Sequence, residues 1–164
     1  MGGQMGDASI GDLQAICSQI NSVLKEQGII NPNMMETQQP VSQPEVRAIY
    51  TRGYQAWLAD DYIAAIEDFS WLTLHCPLEP RFHLALAGAL QMQQEYVLAL
   101  SAYACALLLV AEDPDPVYQM AICLQALGKG ADAREALQTA IEMSYLNPEY
   151  APTAEKALRL LNRI

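Results

Sequence analysis

A repeat of 34 residues runs through the middle of this chain, and it restricts what the chain can fold into. Set in register, Val46 to Glu79, Pro80 to Asp113 and Pro114 to Asn147 place Ala65, Ala99 and Ala133 in one column. Gly53, Ala87 and Ala121 share a second column, all small. Ala56, Leu90 and Leu124 share a third, all apolar. Phe69, Tyr103 and Leu137 fill a bulky column, and Leu72, Ala106 and Ala140 another apolar one. A chain built from such blocks stacks like units, each covering the apolar face of its neighbour.

Each block divides into two helices. In the first, Val46, Ile49, Tyr50, Gly53, Tyr54 and Trp57 recur at spacings of three and four, and Ile63, Ile66, Phe69 and Leu72 begin a second helical period. Turns fall at Asp60-Asp61, Gln93-Gln94-Glu95 and Gly128-Lys129-Gly130, at the same offset in every block. Pro77, Pro80, Pro114, Pro116 and Pro148 mark the joints, where helices must stop. No segment alternates as a strand would. The expected fold is all-α: a solenoid of three helix hairpins (46–79, 80–113, 114–147) between an N-terminal region (1–45) and a C-terminal cap (148–164).

The cap is read as one helix over Tyr150 to Ile164, with Ala154, Ala157, Leu158 and Leu161 on its inner side. Lys156, Arg159 and Arg163 suit the negative end of its dipole. Upstream, Leu13, Ile16, Cys17, Ile20, Val23 and Leu24 form the stripe of an amphipathic helix ending by Gly28, with Gln14, Ser18, Gln19 and Asn21 as its polar positions. Asn31 to Pro44 reads as an irregular connector. The stripe needs a cover, which a partner protomer, a partner protein or the chain's own repeats could each supply. Leu13, Ile16, Ile20, Val23 and Leu24 are therefore candidates for dimerisation.

Composition removes several functions. Nineteen acidic residues against nine basic ones give a net charge of −10, the wrong sign for nucleic acid or anionic lipid. The most apolar run, Ala102 to Ala111, is far shorter than the roughly 20 residues a membrane span needs. Cys17, Cys76, Cys105 and Cys123 form no C-x-x-C pair, and the start of the chain carries no secretory signal, so reduced thiols in a cytosol are expected, with no metal and no cofactor. Catalysis is not expected either. His75 and His83 occupy different columns; His75 is expected on the surface or capping carbonyls, and His83 in a hydrogen-bonded structural role. Asp60, Asp61, Asp113 and Asp115 sit at joints, where turns and helix caps explain them.

The period and its small columns resemble the tetratricopeptide repeat, whose paired helices approach closely at small residues. The resemblance implies a concave groove lined by first helices. Carried over residue by residue, its lining is Arg47, Tyr50, Tyr54, Trp57 and Leu58, then Arg81, Leu84, Gly88, Gln91 and Met92, then Asp115, Tyr118, Ile122, Gln125 and Ala126. The spacing of Tyr50, Tyr54 and Trp57 puts all three on one helix face, an aromatic wall with polar tips suited to an extended peptide. Gln91 and Gln125 can serve peptide amides in both directions. Tyr62 and Tyr96 are read as hairpin packing residues.

The order of smaller motifs narrows the resemblance. Ile49-Tyr50 through Tyr54 and Trp57 to Asp61-Tyr62 is followed by Arg81-Phe82, Leu84, Leu86 and Gly88-Ala89. Gln94-Glu95-Tyr96, Ala99-Leu100, Ser101-Ala102-Tyr103, Asp113-Pro114 and Ala121-Ile122-Cys123-Leu124 come next, before Gly128. Over about Val46 to Met143 the chain resembles the class II chaperones of bacterial type III secretion, which serve hydrophobic translocator proteins. The resemblance implies a bacterial cytoplasmic chaperone, commonly dimeric. It would take an extended proline- and leucine-containing translocator segment in the groove and keep the client soluble without a cofactor or nucleotide cycle. A general tetratricopeptide scaffold between soluble proteins, or a chaperone of needle or filament subunits, would share the fold. The family often has Gly-Gly before the first repeat, where this chain has a lone Gly28.

Overall fold

The structure, a computed structural model, describes residues 2–31 and 41–164, with side chains from Gly11 onward. Eight α-helices and one short 3-10 turn follow one another, and the described residues include no strand. They are α1 (Gly2–Glu26), α2 (Gln43–Leu58), α3 (Tyr62–His75), α4 (Pro80–Met92) and α5 (Tyr96–Leu109), then α6 (Pro114–Ala126), α7 (Gly130–Ser144) and α8 (Ala151–Arg163). The repeat is visible in the helix starts: α3, α5 and α7 begin 34 residues apart, as do α4 and α6. Two compact units, residues 1–109 and 110–164, divide the chain within the repeat array.

The three hairpin turns share one hydrogen-bond pattern. Asp61, Glu95 and Lys129 each donate their backbone N–H to the carbonyl five residues earlier, on Ala56, Leu90 and Leu124, all at 2.9 Å. Asp60, Gln94 and Gly128, one repeat apart, take the left-handed backbone that this closure requires, at φ 60°, 63° and 77°. Gly28 ends α1 the same way, with Ile29 bonding back to Leu24. At the other ends, the side chains of Ser42, Asp61, Glu79 and Asp113 accept from the first free N–H groups of α2, α3, α4 and α6. Asp61 and Asp113 are caps, as their positions at the joints implied.

In the first unit α2 and α3 form one hairpin, α4 and α5 the next, and α3 packs on α4. Ala65, Ile66, Phe69, Leu72, Leu86, Ala87, Leu90 and Ala99 make the core between them. Gly53 allows the close approach of α2 to α3, because a Cβ there would stand 2.7 Å from the Phe69 ring. Beside this contact Arg52 clamps the buried Asp68 carboxylate through two hydrogen bonds, at 3.0 and 2.6 Å. That pairing also raises the Arg52 pKa.

Several details depart from the sequence expectations. Helix α2 starts at Gln43, so Gln43 and Pro44 are helical rather than connector; proline is tolerated in a first turn, where its missing N–H would be unpaired anyway. Residues 32–40 of the connector lie outside the described residues. The α1 stripe is covered within the chain: Leu13, Cys17, Ile20 and Leu24 are buried, Ile16 and Val23 half-buried, and α1 packs on α5 and α3. Of the covers considered, the chain's own repeats supply this one, so a dimer built on that stripe would have to lift α1 first. Asn21, one of the polar positions of this helix, is buried and donates to the Cys17 carbonyl at 2.8 Å.

In the second unit α6 and α7 pair, and α8 covers α7 and reaches α6. The cap begins with a 3-10 turn over Pro148–Tyr150, so its α-helix starts at Ala151. Its inner face holds Thr153 and Ala157, whereas Leu158 is 51% exposed. Thr153 sits inside because its hydroxyl donates to the Asp115 carboxylate at the start of α6. His75 is also placed differently from expectation. Its ring lies 4.3 Å from that of Trp71, and its Nε2 is buried with no hydrogen-bond partner among the described residues. Burial lowers its pKa, partly opposed by Glu45. His83 does take a structural hydrogen bond, to the Pro77 carbonyl at 2.6 Å.

Candidate functional site

A groove of about 370 Å³ opens between α2 and α4, lined by Tyr50, Tyr54, Trp57, Phe69, Arg81, Leu84, Ala85 and Gly88. Six of these eight were groove candidates from sequence. Helix α2 contributes its rings at spacings of four and three, which align them along one face. Tyr50 and Tyr54 stack at a centroid distance of 6.5 Å, and Tyr54 and Trp57 at 6.3 Å with planes only 18° apart. Tyr50 is the anchored end of this row, tilted against Phe69 at 6.0 Å and against the buried Phe82 at 5.5 Å. Tyr54, 50% exposed, is the free middle.

The opposite wall comes from α4. Leu84 and Ala85 give an apolar surface, and Gly88 leaves a gap, since a Cβ placed there would meet nothing within 4 Å. The Arg81 guanidinium lies 5.8 Å from the Tyr50 ring centroid and 5.9 Å from that of Phe82, a cation–π arrangement that keeps a charge at the groove mouth. Glu79 holds Arg81 from the other side at 3.2 Å. A second cleft of about 400 Å³ shares Tyr50 and Arg81 and adds Gln43, Val46, Arg47, Thr51, Cys76, Glu79 and Phe82. Arg47 lines this cleft and not the first one.

Gln91 lines neither cleft. Its side-chain carbonyl accepts from the Tyr103 hydroxyl at 2.6 Å, which ties α4 to α5. The remaining candidates lie in the second unit. Tyr118 lines a small cleft of about 230 Å³ with Lys156, Arg159, Leu160 and Arg163, while Ile122 is half-buried and Gln125 exposed. Asp115 is engaged by Thr153. Leu58 and Met92 are exposed on α2 and α4. Phe69 and Ala85 were missed as lining residues. Phe69 reads as pure core in the repeat columns, and its ring packs where Gly53 has no side chain.

The groove combines flat ring faces, an apolar wall and one cation, with no nucleophile and base brought together. Solved structures of like fold include complexes with other proteins or peptides. A chain of the CopN–Scc3 complex matches with a TM-score of 0.72 and 27% identity, over 86% of this chain and 85% of its own. SycD, the type III secretion translocator chaperone of Yersinia enterocolitica, matches with a TM-score of 0.69 and 24% identity, over 75% of this chain and 92% of its own. PcrH of Pseudomonas aeruginosa, solved with the chaperone-binding region of PopD, matches with a TM-score of 0.72 and 21% identity, over 77% and 96% of the two chains. No protein-family model matches the chain, and no curated protein matches its sequence. The fold is the tetratricopeptide-like helical fold of the type III secretion translocator chaperones.

Proposed function

We propose that this chain is a bacterial cytoplasmic chaperone of type III secretion that holds a hydrophobic translocator protein through an extended segment rich in proline and leucine. The observation that carries the reading is the row of Tyr50, Tyr54 and Trp57 facing Leu84 and the open Gly88 position across one groove. Flat, near-parallel rings take proline rings and leucine side chains by contact area, while their polar tips and Arg81 meet the peptide backbone. Arg47, from the adjoining cleft, and Gln91 are assigned supporting roles at the ends of α2 and α4. Tyr118, Ile122 and Gln125 are assigned client contacts of their own on α6.

Related proteins support this assignment. SycD has been solved with a peptide of the translocator YopD, and PcrH with the chaperone-binding regions of PopD and PopB. A translocator with apolar segments aggregates in water, so a partner that masks one of them and adds a charge of −10 favours solution over aggregate. Binding alone does this, so the reading is of a binding protein and not an enzyme. SycD also forms an alternative dimer. A homodimer of this chain would use a surface other than the α1 stripe unless α1 first lifts from α5 and α3.

Co-expression with hydrophobic translocators of type III secretion tests the reading. A translocator should become soluble and co-purify in a fixed ratio with the wild-type chain. Tyr54→Ala with Trp57→Ala should weaken that complex by more than about 2 kcal/mol, as clustered aromatic anchors do. This pair is preferable to one containing Tyr50, whose ring also packs on Phe69 and Phe82. Failure of every translocator to become soluble beside a folded helical chain would leave the general scaffold as the better account.

A further inference from the structure

Three metal-ligating side chains that are remote in sequence meet inside the first unit. Cys17 on α1, His83 on α4 and Cys105 on α5 are all buried, and their ligand atoms lie within 4.8 Å of one another. The groove between α2 and α4 uses none of them. Leu13, Ile16 and Leu109 pack around the two thiols, so the surroundings are apolar. His83 is only 1% exposed, and its Nε2 lies 2.6 Å from the Pro77 carbonyl. A carbonyl can only accept, so Nε2 carries the proton and Nδ1 keeps the lone pair in the neutral ring. A backbone carbonyl on one ring nitrogen is the kind of partner that orients an imidazole for metal ligation through the other.

We propose that Cys17, His83 and Cys105 form a binding site for a thiophilic divalent cation of the Zn²⁺ type. Two sulfurs and one imidazole nitrogen are the donor set that such ions prefer. Charge selects the divalent ion: two thiolates and a neutral imidazole balance +2, so the loaded site adds no net charge to an apolar interior. A monovalent soft cation on the same ligands would bury an uncompensated negative charge. Binding exchanges two S–H protons, released to solvent, for two metal–sulfur bonds, and His83 adds its lone pair. The fourth position of the ion is left to a small ligand from solvent. The bound ion ties α1 to the α4–α5 hairpin, adding coordinate bonds to the apolar packing that already covers the α1 stripe. The site is independent of what the groove holds.

The test uses the full chain, reduced, stripped with a chelator and kept free of oxygen. Titration with Co²⁺ should saturate at about one equivalent and give thiolate-to-cobalt charge-transfer absorption, which added Zn²⁺ abolishes by displacement. Zn²⁺ should also raise the thermal midpoint. Cys76→Ala with Cys123→Ala should keep the absorption, and Cys17→Ala or Cys105→Ala should lose it. A folded wild-type chain that shows no charge-transfer band overturns the proposal whatever the variants do. So does a band that survives Cys17→Ala, a band lost in the Cys76/Cys123 variant, or a Cys17–Cys105 disulfide that persists in the reducing buffer and excludes the ion.

Discussion

Gly53 and Gly88 lie on the two helices that bound the groove, and their surroundings give the same substitution opposite signs. Alanine is worth about 1 kcal/mol more than glycine inside a helix. At Gly88 nothing opposes that gain, because an added Cβ meets no atom within 4 Å. At Gly53 the added Cβ would meet Phe69 Cε1 at 2.7 Å and Asp68 Cβ at 3.1 Å. Neither neighbour can yield easily, since Phe69 is core and Asp68 is clamped by Arg52. Overpacking of this kind costs about 1–3 kcal/mol. Urea unfolding should therefore show Gly88→Ala more stable than wild type and Gly53→Ala less stable; a gain at Gly53 would mean the α2–α3 contact is loose. His75 gives a pH prediction. Burial holds its folded pKa below 6.5, so the unfolded chain binds the proton more readily. The stability it contributes is complete above pH 6.5 and declines as the pH falls below that value. A histidine NMR titration should place His75 below 6.5, and a value at or above it would contradict the packing on Trp71.

Helix α1 shows what a single element adds and what its sequence left open. Leu24 is 0% exposed, and Leu24→Ala should cost about 2–5 kcal/mol of stability, as deletions of buried leucine do. Because the cover lies in the same chain, the loss should not depend on protein concentration in thermal unfolding. A loss that grows on dilution would mean that a second chain supplies the cover. An apolar stripe is the same sequence signal whichever surface covers it, so Leu13 to Leu24 announced a helix but not its neighbour. The repeat helices were legible because size classes recur at 34 residues and the turns share one backbone solution, even where Gln94 takes the place of glycine. The inner face of α8 was misread at Leu158 because Thr153, polar by type, goes inside on the strength of its bond to Asp115. The Cys17–His83–Cys105 cluster was invisible for another reason: its members sit on three helices with no short spacing to betray them. The groove was the most legible part, since the rings of α2 follow from helical spacing alone, whereas its floor at Phe69 depends on packing.

At the scale of the whole molecule, the proposed function rests on the apolar-aromatic groove between α2 and α4, carried by a strongly acidic chain. No helix of the described residues is long and apolar enough to cross a membrane, and the net charge of −10 opposes close approach of other copies of the chain. The α2–α4 groove itself is proposed to hold the client segment. Calorimetric titration of the purified chain with a synthetic proline- and leucine-containing translocator segment, comparing wild type with Gly88→Leu, tests it most directly. The leucine grows from an open helical position into the groove, so the fold should be kept or strengthened while the space for the peptide is lost. Saturable binding to the wild type is expected, with at least a roughly tenfold weaker affinity in Gly88→Leu, about 1.4 kcal/mol or more, at an unchanged or higher unfolding midpoint. Equal affinities in the two folded proteins would place the client elsewhere and contradict the account.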